Sequence, residues 1–190
     1  MPVVYVIGGA NGSGKTTSAL TILPALGVIE FVNADAIASG LSPLNPESMA
    51  IQAGRLMLER LNELSAAGAD FAFETTLAAR TFAPFLRSCK DKGYQVSLLH
   101  FWLPSADLAV ERVAQRVASG GHSIPEDVIR RRYDRGRINL IELYLPLCDF
   151  WQVLDNAEPG YRLIAEKVIG QSFDIYDQET WNQITRGIYD

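Results

Sequence analysis

A chain of 190 residues, 48% hydrophobic and 21% charged, is long enough for one domain with a substantial core and too apolar for wholesale disorder. Its 17 Lys and Arg against 22 Asp and Glu leave a net charge of −5, which excludes a protein whose main surface coats nucleic acid and confines any polyanion site to a local cluster. Cys89 and Cys148 lack paired spacing and read as reduced, buried thiols, and His100 with His122 is too sparse a set for a metal site.

The apolar run VVYVI (3–7) predicts a buried strand, followed by the glycine-rich stretch GGANGSGKTT (8–17) and a helix from Lys15 to Leu23 that stops near Pro24. EFVN (30–33) predicts a second strand, and SGLSPLNPES (39–48) a loop. From Pro46 to Ser65 a helix is expected, with Met49, Ala53, Leu56, Met57 and Leu64 along one side and Arg60 interrupting the stripe. DFAFE (70–74) is a third strand, the span from Arg80 to Lys92 a helix, and QVSLLHFWL (95–103) a fourth strand. Val110, Val113 and Val117 then line one face of a helix that carries Arg112 and Arg116 on the other and ends at Gly120 and Gly121. Ser123 and Glu126 match a capping box for the next helix, with Pro125 in its first turn. FWQVLDN (150–156) predicts a fifth strand, and YRLIAEKVIGQSFDIYD (161–177) a hairpin turning at Gly170 before a last helix. Alternating strands and helices imply one α/β domain over 1–190, with a mostly parallel sheet covered on both faces.

Gly9, Gly14, Lys15 and Thr16 satisfy G-x-x-x-x-G-K-[ST] between a predicted strand and a predicted helix, which makes the expected fold a P-loop NTPase-type three-layer sandwich. Glycines let backbone N–H groups wrap a phosphate, and the helix that follows adds its positive dipole end. Gly9, Ala10, Asn11, Gly12, Ser13, Gly14, Lys15, Thr16 and Thr17 are therefore expected to hold a nucleoside triphosphate, ATP or GTP. Lys15 reaches its outer phosphates and the Thr16 hydroxyl ligates Mg²⁺.

In open α/β sheets ligands sit outside the carboxyl ends of the strands, where Asp35 follows strand two and Glu74 closes strand three. These carboxylates suggest a general base for an acceptor hydroxyl and a group that positions the acceptor or the metal; a turn or N-cap aspartate is the plainer reading of Asp35. Thr75, Thr76 and Arg80 follow Glu74 as acceptor-binding candidates, the threonines also suiting a helix cap. The arginine-rich helices joined by glycines, at about 111–137, resemble a phosphate lid. Arg112, Arg116 and Arg132 are favoured there for acceptor and phosphoryl contacts. Others among Arg130, Arg131, Arg135 and Arg137 form a solvated face balanced by Glu111, Glu126, Asp127 and Asp134. Asp155 and Asn156 border the nucleotide base or simply make a turn.

The ordered set GGANGSGKTT, FVNADAIA, AGRLML, FAFETTL, GYQVSLLHFWL, RVAQRVASGGHSIPEDVIRRRY and DFWQVLDN resembles the zeta toxin family of P-loop kinases, over residues 3 to about 157. It is closer to that family's compact relatives, often labelled predicted ABC-type ATPases, although no LSGGQ-like signature is present. The resemblance implies that Lys15 and Thr16 bind ATP and Mg²⁺, Asp35 activates a sugar hydroxyl and Glu74 orients the acceptor. It implies too that Arg116 and an arginine among Arg130 to Arg132 stabilise the phosphoryl group. The acceptor it implies is UDP-N-acetylglucosamine, phosphorylated on the 3′-hydroxyl of its amino sugar, and the partner a small antitoxin protein. This chain is shorter than those toxins.

The expected function is thus a kinase moving a γ-phosphate onto a small-molecule hydroxyl, such as that of a nucleotide-sugar. A nucleotide-dependent ATPase switch with a protein partner is the alternative from another class. A polynucleotide kinase is disfavoured by the acidic total charge and the lack of aromatics interleaved with the basic segment. A basic-then-apolar leader and a membrane-spanning run are both absent, so a soluble, cytoplasmic protein without a membrane partner is expected.

Overall fold

The structure, a computed structural model, describes residues 1–121 and 123–188; the reading made of His122 lies outside the described residues. Among the described residues seven strands form one sheet, in the order β2-β3-β1-β4-β5-β6-β7. Strands β1 (Val3–Gly9), β2 (Glu30–Val32), β3 (Phe71–Thr75), β4 (Gln95–Trp102) and β5 (Phe150–Asp155) run parallel, whereas β6 (Arg162–Lys167) and β7 (Phe173–Ile175) add an antiparallel edge. The expected hairpin is this edge, with Gly170 at φ 75 in its turn, a conformation glycine adopts without strain.

Apolar side chains occupy both faces of the central strands, as a sheet buried on both sides requires. Val4, Val6, Phe71, Phe73, Val96 and Leu98 point into one core, against α3 (Ala50–Ala66), α4 (Phe82–Asp91), a π-helical turn (Leu140–Tyr144) and α7 (Gln178–Thr185). Ile7, Ala72, Leu99 and Phe101 pack on the opposite face under Ala19 and Leu23 of α1 (Lys15–Ala25). The P-loop three-layer α/β arrangement is therefore present, with its helices unevenly divided. Of the other helices, α2 (Ala34–Leu41) packs Ile37 on the first core, and α5 (Ala106–Ala118) and α6 (Glu126–Asn139) share a smaller core of Leu103, Ala109, Val113 and Ile129. No helix among the described residues is long and apolar enough to cross a membrane. Both cysteines are buried and free, and burial pushes the Cys148 thiol up to about 12.

Three local readings need correction. The predicted loop at 39–48 is helical at both ends, because α2 runs to Leu41 and a 3₁₀ turn occupies Pro46–Met49. The cause is Asn33, whose side-chain oxygen accepts from Asp35 N at 2.8 Å and Ala36 N at 3.2 Å and so caps α2. In α3 the buried stripe is Ala53, Met57, Leu61 and Leu64; Leu56 is 36% exposed, and Arg60 lies in solvent, paired with Glu30 and Glu63. The capping box does not form: α6 begins after Pro125, with Ser123 exposed two residues outside the cap. The Pro125 carbonyl instead accepts from Val128 N and Ile129 N.

Candidate active site

The loop between β1 and α1 closes on itself. Gly9 has φ 147, and a Cβ there would lie 2.5 Å from the Phe101 carbonyl oxygen and the Ser13 hydroxyl. At Gly14, φ is 81 and a Cβ would lie 2.6 Å from the Asn156 amide. Side chains are excluded at both positions, which is the backbone freedom a phosphate cradle needs. Lys15 is only 5% exposed and donates from Nζ to the Ala10 carbonyl at 2.8 Å. Burial lowers its pKa from the ordinary lysine value, and Glu74 and then Asp35 oppose that shift electrostatically. The buried Ser13 hydroxyl and Asn11 side-chain oxygen carry no hydrogen bond among the described residues.

Parallel pairing of β1 with β3 sets Gly8 opposite Thr75 and so brings Glu74 beside the loop. Glu74 Oε2 accepts from Thr16 Oγ1 at 2.7 Å and from Asn33 Nδ2 at 2.8 Å, while Oε1 lies 3.6 Å from Lys15 Nζ. Glu74 is therefore tied to the glycine-rich loop while it lines the cavities on both sides of Asp35. Asp35 stands in the first turn of α2 with its side chain accessible.

Three cavities meet at Asp35. A space of about 210 Å³ is bounded by Gly12, Gly14, Lys15, Thr16, Thr17, Arg112 and Arg116, with Asp35 and Glu74 facing them. A larger one of about 410 Å³ lies on the far side of Asp35, lined also by Lys15, Glu74, Thr75, Thr76, Arg55 and Arg132. A third, of about 300 Å³, runs from Asp35 between α2 and the start of α6. Arg132 lines the second and third cavities but not the first.

The remaining candidates separate by what they touch. Arg112 donates to the carbonyls of Asn156 at 2.7 Å and Ala157 at 2.5 Å, and Asn156 Nδ2 donates to the Ser13 carbonyl at 2.7 Å. This chain of bonds ties the segment after β5 to the nucleotide loop. Asp155 pairs with Arg162 at 2.7 Å. Arg130 is paired with Asp107 and Glu126, and Arg137 donates to the carbonyls of Ile184 and Arg186, which fixes the end of α7. Arg80 lines none of these cavities; its charge lies near the Tyr144 hydroxyl.

Residues absent from the sequence-derived candidates shape the floor. Leu77, fully buried, has φ 60, a left-handed conformation that costs a non-glycine residue roughly 1–2 kcal/mol. Thr75 Oγ1 accepts from Leu77 N at 3.0 Å, and Asn139 Nδ2 donates to the carbonyls of Leu77 at 2.9 Å and Ala78 at 3.2 Å. Tyr144 donates its hydroxyl hydrogen to the Ala79 carbonyl, and Gly136 lets α6 approach so closely that a Cβ would strike the Thr76 carbonyl. Glycine inside an arginine-rich helical pattern was the one signal of this approach in the sequence. Behind the loop, His100 is buried next to Gly8, and burial with the Lys15 charge lowers its pKa to about 3, so it is neutral.

The Thr16 hydroxyl, with the Glu74 and Asp35 carboxylates lining the same cavity, fits the hard oxygen donors Mg²⁺ takes from protein when phosphate and water supply the rest.

The family described as AAA domain matches residues 4–137, more than half of the chain. An uncharacterised protein of Haemophilus influenzae is 30% identical over 125 residues, 66% of this chain and 88% of its own length. Among solved structures, the AvrRxo1-ORF1:AvrRxo1-ORF2 complex with sulphate ions matches with a TM-score of 0.79 at 19% identity, over 97% of this chain; this chain spans 64% of the length of that one. The same complex has a structure with ATP. A chain of the PezAT toxin-antitoxin system of Streptococcus pneumoniae matches with a TM-score of 0.69 at 17% identity, over 98% of this chain and 79% of that one. A gluconokinase from Sinorhizobium meliloti shares the fold at a TM-score of 0.54 and 21% identity, over 83% of this chain and 84% of that one. The fold is P-loop kinase-like.

Proposed function

The chain belongs to the AAA domain family, and from that premise we propose that it is a kinase moving the γ-phosphate of ATP or GTP onto a hydroxyl of a small molecule. One observation carries this reading: Asp35 lies where the cavity over the phosphate loop meets a separate chamber of about 410 Å³, within the usual size of a small-molecule site. A protein that only hydrolysed its nucleotide would need no such second chamber beside the base.

The proposed roles follow from position. Loop amides and Lys15 hold the triphosphate in the smaller cavity, with Arg116 lining it from α5. The acceptor occupies the larger chamber with its hydroxyl beside Asp35, which takes the hydroxyl proton as the acceptor oxygen bonds to the γ-phosphorus. The bond from that phosphorus to the bridging oxygen breaks, and its electron pair leaves with the nucleoside diphosphate. Holding both reactants is worth about 7–11 kcal/mol of barrier, and the base about 10²–10⁴ in rate. Glu74 orients Thr16, and Mg²⁺ held there when bound supplies charge neutralisation at the phosphates. We assign the described residues of the segment 111–137 (111–121 and 123–137) as the lid over this site, Arg112 anchoring the 156–157 backbone and Arg132 reaching the acceptor side.

The resemblance to zeta toxins and the fold shared with a chain of the PezAT system support UDP-N-acetylglucosamine as the first acceptor to try and an antitoxin-like protein as a partner. Wild-type and Asp35→Ala protein should be incubated with Mg-ATP or Mg-GTP and a panel of nucleotide-sugars and simpler hydroxyl compounds. A product heavier by one phosphate is expected with the wild type only, while the variant still binds nucleotide. Nucleotide hydrolysis unaffected by every acceptor, with Asp35→Ala as active as wild type, would refute the kinase reading and favour a switch.

A further inference from the structure

We propose that Arg55 of α3 is the specificity-determining residue of the acceptor chamber, and that the acceptor carries an anionic group, phosphate or carboxylate, which this guanidinium binds. The inference rests on the kinase reading for the word acceptor; the anion-binding role of Arg55 is tested apart from it below.

Two arginines of one helix differ in their partners. Arg60 is satisfied by Glu30 at 2.9 Å and Glu63 at 3.1 Å. Arg55, little more than a turn earlier, makes no hydrogen bond or ion pair among the described residues and lines the 410 Å³ chamber. The same contrast recurs on α6, where Arg130 holds Asp107 and Glu126, whereas Arg132 has no such partner among the described residues and lines that same chamber. What sets Arg55 and Arg132 apart is position: both line this chamber, whereas Arg87, Arg131 and Arg135, equally without such a partner among the described residues, line none of the three cavities at Asp35. The carboxylates that also line the chamber are those engaged with the nucleotide side: Glu74 is bonded to Thr16 and Asn33, and Asp35 is the base. A positive group lining the same chamber as the base suits a ligand that is neutral at its hydroxyl end and negative at the other. Ile51, Met57, Leu58 and Phe82 supply apolar wall for the carbon skeleton between. Arginine's planar fork matches phosphate and carboxylate with two parallel hydrogen bonds, so it selects strongly for the charge.

The test uses charged compounds beside their uncharged parents: a hexose phosphate with its hexose, a nucleoside monophosphate with its nucleoside, and a hydroxycarboxylic acid with its amide. Turnover is measured for wild type, Arg55→Ala, Arg55→Lys and the surface control Arg60→Ala. For at least one pair the charged member should be the better substrate. Arg55→Ala should raise its KM about 10–100-fold, with little change for the parent, because a hydrogen bond to a charged group carries about 1.5–3 kcal/mol. Arg55→Lys should recover part of the loss, and Arg60→Ala should behave as wild type. A preference among the phosphates or among the acid distinguishes the two anion sources. Charged and neutral members turned over alike, and equally by Arg55→Ala, overturn the inference and leave the kinase intact. Calorimetric binding of the same pairs to nucleotide-loaded Asp35→Asn protein removes dependence on turnover. There, equal affinity within every pair overturns it, and a charge preference lost in Arg55→Ala upholds anion recognition even if no compound is phosphorylated.

Discussion

Thr16 donates its hydroxyl hydrogen to Glu74 across 2.7 Å, although 58 residues separate them. The same carboxylate oxygen accepts from Asn33, and its neighbour faces Lys15. The first turn of α1, the end of β3 and the cap of α2 are thereby joined at one side chain.

Glu74→Ala is expected to destabilise the fold by about 1–3 kcal/mol, since it strands the Asn33 amide and removes the counter-charge of a buried lysine. It should also lower the Lys15 pKa further, because Glu74 is the larger of the two charges that oppose burial. Urea unfolding checks the first effect, and the pH dependence of lysine-selective acylation the second. Unchanged stability together with unchanged Lys15 reactivity would contradict the role given to Glu74.

Gly14→Ala places a methyl group 2.6 Å from the Asn156 amide at a residue with φ 81. The Asn156 bond to the Ser13 carbonyl should break and the loop should open. Triphosphate affinity should fall at least tenfold while circular dichroism stays native. Tight binding of Mg-ATP or Mg-GTP by this variant would mean that the loop geometry described here is not what holds the ligand.

Arg112 and Arg116 share a cavity but differ in what they hold. Arg112 is committed to the backbone at 156–157, so Arg112→Ala should act by loosening that segment, raising KM for nucleotide more than it lowers kcat. Arg116→Ala should lower kcat by about 10³-fold or more with a modest change in KM, as loss of a transition-state arginine does. Steady-state kinetics on the two variants separates them, and identical kinetic signatures would cancel the distinction.

His100 gives the fold a dependence on pH. Its folded pKa of about 3 lies below the ordinary value near 6.5, so the unfolded chain takes up a proton that the native state refuses. Its contribution is complete above about pH 6.5 and declines by at most about 1.4 kcal/mol per pH unit as pH falls from there toward 3. His100→Gln should therefore lose less stability than wild type between pH 7 and pH 5, by about 2 kcal/mol in urea unfolding. Parallel losses in both proteins would place the acid sensitivity elsewhere.

Much of the nucleotide side was legible in the chain, because its chemistry is local. Gly9, Gly14, Lys15 and Thr16 need only be near one another in sequence to make a loop that no side chain could occupy, and the strand-helix alternation around them fixes its place at the sheet end. Asp35 and Glu74 were singled out by the same logic, one just after a parallel strand and one at the end of another. Asn33 stood in a readable N-cap position, yet its second bond, to Glu74, depends on two strands meeting.

The sequence by itself determined the class of fold, the glycine-rich loop between β1 and α1 and the nearness of two carboxylates to the strand ends, since periodicity and a short motif are properties of neighbouring residues. Tertiary structure alone decided that Glu74 faces Thr16, that Arg112 holds backbone, and that Arg55 and Arg132 line one chamber. It also decided that Gly136 and Asn139 pin the strained turn at Leu77. Those outcomes depend on which helices pack beside which strand ends, and a helical arginine looks the same in sequence whether its carboxylate partner is four residues away or missing.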